Sequence, residues 1–209
     1  MPENNGDGVR WFRPDPRGVI PLDSFHISRS LKRRLQKQDF QISYDHDFRR
    51  VMEVNATGYL LFMREGIRLM KEQGLGGNIV VISSKNVFAP GKEFGAYSAS
   101  KAAAHQLGRL AAIEFAPDGI RVNMLTPDAV FGDEQTPSGL WKEVTLYRAK
   151  THHLNPSDLP EYYRQRNLLK SRVTGRHVGY AVVFFASNAT PTTGATLPID
   201  GGLPEAFPR

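Results

Sequence analysis

Ile79-Val80-Val81-Ile82 is an unbroken run of β-branched residues with no polar interruption. A strand with one wet face would alternate apolar with polar residues, so a continuous run predicts a strand over Asn78–Ser83 that is covered on both faces. Helical patterns stand on either side. Phe48, Val51, Met52, Tyr59 and Phe62 recur at helical spacing, behind Asp45 or Asp47 as the N-cap. That helix should run to about Lys71 and stop at Gly74, Gly76 and Gly77. A second long helix is expected over about Ala96–Ala116, punctuated by Pro117-Asp118-Gly119, and a second short buried strand over Ile120–Leu125. Residues 127–170 read as a polar excursion of two or three short helices. Val178, Ala181, Val182 and Phe185 then mark another amphipathic helix, and Thr196–Ile199 a last strand closed by Asp200-Gly201-Gly202. Helices alternating with short apolar strands imply an α/β architecture with a parallel sheet.

The segment ahead of this pattern is different. Residues 1–44 read as an irregular or partly helical basic arm: residues 1–23 are rich in Asn, Gly, Asp and Pro, and 28–38 could form a short basic helix. Much of the formal charge of +6 lies there, on Arg10, Arg13, Arg17, Arg29, Lys32, Arg33, Arg34 and Lys37. A basic surface favours anionic partners. No zinc-finger, aromatic or helix-turn-helix signature accompanies these charges, so a solvated arm is preferred to a nucleic-acid contact. The chain has no cysteine, which excludes disulfides, thiolate metal sites and a cysteine nucleophile. Its apolar runs fall far short of the ~20 residues of a membrane helix. The expectation is a soluble, cytoplasmic protein that does not enter membranes. The six histidines show no metal-ligand spacing, so no metal is expected.

Candidate chemistry sits on the second helix. Tyr97 and Lys101 are four residues apart and therefore share a helix face. An isolated phenol, with a pKa near ~10, is a poor proton donor or acceptor at neutral pH. A neighbouring ammonium favours the phenolate and brings such a group toward the useful range for general acid–base catalysis. Ser84 lies where the first strand ends, and ligands of open α/β sheets bind at the carboxyl ends of strands. Its hydroxyl could hold a carbonyl or alcohol beside Tyr97, or simply close the strand, and Ser83 could take either role. Asn55 interrupts the apolar stripe of the first helix. A buried amide there needs partners. It either satisfies a helix–sheet contact or organises water near Lys101.

Val54-Asn55-Ala56-Thr57-Gly58, then Gly77-Asn78-Ile79-Val80-Val81-Ile82-Ser83-Ser84, then Tyr97-Ser98-Ala99-Ser100-Lys101 resemble the successive signatures of the short-chain dehydrogenase/reductase family. Gly119-Ile120-Arg121-Val122-Asn123 and Asp200-Gly201-Gly202 are similar to its last landmarks. The resemblance implies that residues 45–209 form the C-terminal part of a Rossmann-type doubly wound parallel sheet. It also implies NAD- or NADP-dependent oxidoreduction through a tetrad of Asn55, Ser84, Tyr97 and Lys101. In that scheme Tyr97 exchanges the proton, Ser84 orients the reacting oxygen, Lys101 binds the nicotinamide ribose, and Asn55 holds a relay water. Pro127 and Val130 would border the nicotinamide. Phe88, Asp128 and Trp141, with Ser84, would contact a small hydroxylated substrate. Asp128 could equally be a turn-stabilising carboxylate, and Trp141, Tyr147, Tyr162 and Tyr163 could serve packing, in an excursion where this family builds its substrate lid.

A narrower resemblance rests on Ser84–Gly91, Pro127–Phe131, Tyr163–Leu169 and the terminal Ala206-Phe207-Pro208-Arg209. These look like the dehydrogenase part of bifunctional aldolase/short-chain dehydrogenases of the rhamnulose-1-phosphate aldolase/alcohol dehydrogenase type, and imply a polyol, hydroxyaldehyde or sugar-derived substrate. One departure is large. The family's opening strand, glycine-rich turn and helix, which receive the pyrophosphate, find no match in residues 1–44. The expectation is therefore a truncated domain whose first strand has one uncovered side, with marginal solubility or dependence on a partner. The helices carrying Asn55 and Tyr97 would supply a homo-oligomer interface. The competing reading is a non-catalytic fragment kept as an interaction or oligomerisation module.

Overall fold

The structure, a computed structural model, describes residues 45–133, 138–187 and 189–207. The basic arm and its expected helix lie outside the described residues. The chain opens with α1 (Asp45–Met52), whose first-turn Asp45 and Asp47 suit the positive end of the helix dipole and whose Asp45 pairs with Arg49 at 2.8 Å. A π-helical turn over Glu53–Thr57 follows, and α2 (Gly58–Gln73) continues from it. The single helix expected from the periodicity is thus interrupted around Asn55. α2 ends at Gly74, which takes the left-handed conformation (φ 67°) and returns its N–H to the carbonyls of Met70 and Lys71.

Three parallel strands follow in the order β1-β2-β3: β1 (Gly77–Ile82), β2 (Ile120–Pro127) and β3 (Thr196–Ile199). Gly77 faces Ile120 and Ile82 faces Leu125 across the first pair. Met124 faces Thr196 and Pro127 faces Ile199 across the second. α3 (Gly95–Glu114) connects β1 to β2. Between β2 and β3 the chain makes α4 (Gly139–Thr151), α5 (Leu159–Arg166) and α6 (Gly175–Ala186).

The period-two alternation of strand side chains sorts the core into two layers. Val81, Val122 and Met124, with Ile79 at the margin, pack against Met63 and Ile67 of α2 and Ala111 and Ala112 of α3. Val80, Ile82 and Leu125, with Leu197 and Ile199, pack against Ala181 and Phe185 of α6. Helices on both faces of a parallel sheet make the doubly wound α/β arrangement expected from the sequence. A third cluster joins Phe131, Leu159 and Tyr163, with Trp141 and Tyr162 packed beside them, and gives the excursion its own core.

The burial of the strands differs from expectation in one respect. Only Val81 of β1 is fully buried, whereas Val122, Asn123, Met124 and Leu125 of β2 have no exposed surface. The reason is position: among the described residues β1 has a strand neighbour on one side only, and β2 has one on each.

The excursion is tied back to the sheet at its carboxyl end. Leu168 and Leu169 donate backbone N–H groups to Gly202 and Gly201. Gly201 has φ 71°, and a Cβ there would stand 2.5 Å from Asn167 Oδ1, so only glycine permits this approach.

Candidate active site

The candidate residues gather where β1 and β2 end. Ser84, extended and buried, leaves β1 and accepts the Asn86 N–H at 3.2 Å, capping a short turn. Among the described residues its own O–H meets no acceptor. Ser83 has a different commitment. Its hydroxyl lies 3.1 Å from His105 Nδ1, and His105 Nε2 lies 3.3 Å from Thr196 Oγ1 on β3. His105 is 4% exposed, and burial lowers its pKa, with Arg109 adding to the effect. A neutral imidazole therefore ties the end of β1 to β3, which separates the roles of the two serines.

Tyr97 and Lys101 project from the first turns of α3. The Lys101 ammonium stands 5.9 Å from the centre of the Tyr97 ring, and Phe94 packs edge-on against Tyr97 at 5.9 Å. Lys101 itself is 9% exposed. Its Nζ donates to the Ile82 carbonyl at 3.0 Å and to the Tyr59 hydroxyl at 3.1 Å. The Tyr59 hydroxyl in turn donates to the same Ile82 carbonyl at 2.7 Å. Burial pushes the Tyr59 pKa up to about 12, so this oxygen remains a neutral phenol.

Asn55 lies inside the π turn and is buried. Its amide donates to Ser100 Oγ at 3.1 Å, and Ser100 Oγ donates to the Tyr97 carbonyl at 2.8 Å. The asparagine is thus docked on α3 between the two candidate catalytic side chains, in a helix–helix contact. The π turn carries one more residue per turn than the α-helical frame. It brings Asn55 and, four residues on, Tyr59 to the same helix.

β2 ends at Pro127, and Asp128 N–H donates to the Ile199 carbonyl at 3.2 Å. Ala129 follows at φ 42°, a strained conformation for a residue with a Cβ. Burial raises the Asp128 pKa, against the pull of Arg166, whose guanidinium is 3.7 Å away, and of Lys85. Val130 offers its carbonyl to the Trp141 indole N–H at 2.7 Å. The Trp141 ring stacks on Phe131 at 4.3 Å and meets Tyr163 at 5.2 Å. Its described contacts are therefore with the core of the excursion. Phe88, 38% exposed, sets its ring edge-on to His105 at 5.5 Å. Arg148 is almost fully buried, with its guanidinium against Phe94 and hydrogen-bonded to the Tyr163 hydroxyl.

Tyr59, Ser100, His105, Arg148 and Arg166 join the site although the sequence pattern did not single them out. Tyr59 alone left a local signal, its i, i+4 spacing from Asn55. The others depend on contacts between distant segments. Among the described residues no group of acidic and histidine side chains could hold a metal, and no helix is long and apolar enough to cross a membrane.

The chain is similar to known proteins in both sequence and fold. A family model described as enoyl-(acyl carrier protein) reductase matches residues 22–204. The uncharacterized oxidoreductase YuxG of Bacillus subtilis is 40% identical over 159 residues, covering 76% of this chain and 23% of that protein. Glucose 1-dehydrogenase of Gluconobacter oxydans is 36% identical over 160 residues, covering 75% of this chain and 54% of the relative. The chain thus spans about half or less of the length of these relatives. The crystal structure of sorbitol-6-phosphate 2-dehydrogenase from Erwinia amylovora superimposes with a TM-score of 0.71 at 27% identity, covering 79% of this chain and 63% of that one.

Proposed function

The chain belongs to the short-chain dehydrogenase/reductase family, and we propose that it carries the nicotinamide and substrate side of an NAD- or NADP-dependent oxidoreductase acting on a small hydroxylated or sugar-derived alcohol or carbonyl. The observation that carries the reading is the Lys101 ammonium, 5.9 Å from the centre of the Tyr97 ring and bonded to the Ile82 carbonyl, two residues before Ser84. When bound, the nicotinamide would supply or accept the hydride. Tyr97 would give or take the proton at the substrate oxygen, and Ser84 would donate its hydroxyl proton to that oxygen. Lys101, with two N–H groups engaged by Ile82 and Tyr59, keeps a third for the cofactor ribose. Asn55 would hold the Tyr97–Lys101 segment of α3 in register through Ser100. Pro127 and Val130 would border the nicotinamide, and Asp128, Phe88 and Trp141 the substrate.

The relatives named for glucose and sorbitol 6-phosphate support a polyhydroxylated substrate, as does the half-buried Asp128–Arg166 pair, which suits hydroxyl recognition. The sequence likeness to aldolase-linked dehydrogenases favours a hydroxyaldehyde or polyol within that class. A glycine-rich pyrophosphate turn has no counterpart among the described residues. Self-association is a compatible second element of the proposal. Leu60 on α2 and Leu110 and Ile113 on α3 are 46%, 47% and 75% exposed, apolar surface of the kind that copies of the chain could bury.

Calorimetric titration of the purified chain with NADH and with NADPH tests the proposal. Micromolar binding that weakens about tenfold or more in Lys101→Ala supports it. A folded chain that binds neither nucleotide at millimolar concentration refutes it.

A further inference from the structure

The Lys101 ammonium is almost fully buried, yet among the described residues no carboxylate is bonded to it. Its partners are the Ile82 carbonyl at 3.0 Å and the Tyr59 hydroxyl at 3.1 Å. A desolvated charge needs such partners, because removing one leaves it uncompensated. The two acceptors are linked, since Tyr59 spends its own proton on the Ile82 carbonyl at 2.7 Å. That choice fixes the direction of the other bond: the phenol oxygen presents its lone pairs to the ammonium. The Tyr59 ring contributes as well, with its centre 4.9 Å from Nζ. Lys101 is therefore held at three points, by a backbone carbonyl, a phenol oxygen and an aromatic face.

We propose that Tyr59 is the positioning residue of this site, a clamp that holds the Lys101 ammonium at the end of β1 and sets where its remaining N–H points. The inference rests on the oxidoreductase reading for its consequence in catalysis, but the clamp itself is a property of the chain. Its origin is the π turn over Glu53–Thr57, which lets Asn55 and Tyr59 both reach α3. Asn55 acts through Ser100 on the backbone of Tyr97, and Tyr59 acts directly on Lys101. One short stretch of helix thereby orients both members of the candidate pair.

The test compares the native chain with Tyr59→Phe, which keeps the ring and removes only the oxygen, and with Tyr59→Leu, which removes both. Trace acetic anhydride labelling at neutral pH, read by mass spectrometry against exposed Lys71 as internal reference, reports how freely Lys101 leaves its clamp. Loss of one hydrogen bond to a charged group should raise Lys101 labelling about tenfold in Tyr59→Phe, and further in Tyr59→Leu. Under the oxidoreductase reading, kcat should fall by a similar factor in Tyr59→Phe with little change in the KM for the alcohol. Unchanged Lys101 labelling in a Tyr59→Phe protein that melts like the native chain overturns the clamp. Increased labelling with unchanged kcat overturns its positioning role. A native chain that neither binds nicotinamide nor turns over refutes the oxidoreductase reading instead, and the labelling then decides the clamp alone. If Tyr59→Leu does not fold, Tyr59→Phe carries the decision.

Discussion

Asn123 has no exposed surface, and its amide binds both sides of the segment that leads into β3. Nδ2 donates to the Thr192 carbonyl at 2.9 Å, and Oδ1 accepts the Ala195 N–H at 3.1 Å. Asn123→Ala removes both bonds with unequal consequences. The Thr192 carbonyl keeps a second donor, Arg121 at 3.2 Å, so that loss should cost about 0.5–1.5 kcal/mol. Among the described residues the Ala195 N–H, in a half-buried segment, has no such reserve and is left unpaired, at about 1–3 kcal/mol. Together these give about 1.5–4.5 kcal/mol, and for a chain of this size a fall in Tm of about 3–18 °C. Thermal unfolding followed by circular dichroism measures it. A fall of less than about 2 °C would refute the assignment of Asn123 as the tie between β2 and β3. The same Asn123 closes the Gly119–Asn123 landmark seen in the sequence, and the structure gives that position a physical task.

Two further outcomes are expected. His105 is buried with a lowered pKa, so folding favours its neutral form, and the stability it confers is present above the unfolded value of ~6.5 and lost as pH falls through the lower folded value. The Tm of the native chain should therefore drop more steeply on acidification below neutral than that of His105→Gln, and parallel pH profiles would contradict this. In Gly201→Ala the new Cβ would meet Asn167 Oδ1 at 2.5 Å from a backbone at φ 71°, displacing the amide that pairs with Ser171. A loss of about 2–4 kcal/mol is expected, seen as a Tm lower by about 4–16 °C, and a melt within 2 °C of native would exclude the close approach.

Much of this organisation was legible in the sequence because it is local. The β-branched run at Ile79–Ile82, the glycine stop at Gly74 and the helical spacing of Tyr97 and Lys101 each follow from neighbours in the chain. The order of strands and helices then followed from their alternation. What was not legible depends on long-range packing. The periodicity over residues 45–71 did not show the π turn, because Phe48, Val51 and Met52 before it and Tyr59 and Phe62 after it each keep helical spacing within their own segment. The choice between Ser83 and Ser84 required His105, which arrives from another element. Asn55 could be read as a buried amide needing a partner, but that partner, Ser100, is fixed only by how α2 crosses α3. The depth of burial of β1 against β2 likewise follows from neighbours across the sheet.

The central claim is that Tyr97, beside Lys101 and Ser84, moves the proton that accompanies hydride transfer. The direct measurement is transfer of deuterium from nicotinamide deuterated at its reactive carbon to a panel of hydroxyaldehydes and keto-sugars, followed by mass spectrometry of the product. The native chain is expected to produce deuterated alcohol from at least one carbonyl, and Tyr97→Phe to lose the rate by about a hundredfold or more, within the usual range for a general acid. No deuterium transfer by a folded native chain, or equal transfer by Tyr97→Phe, would contradict the account.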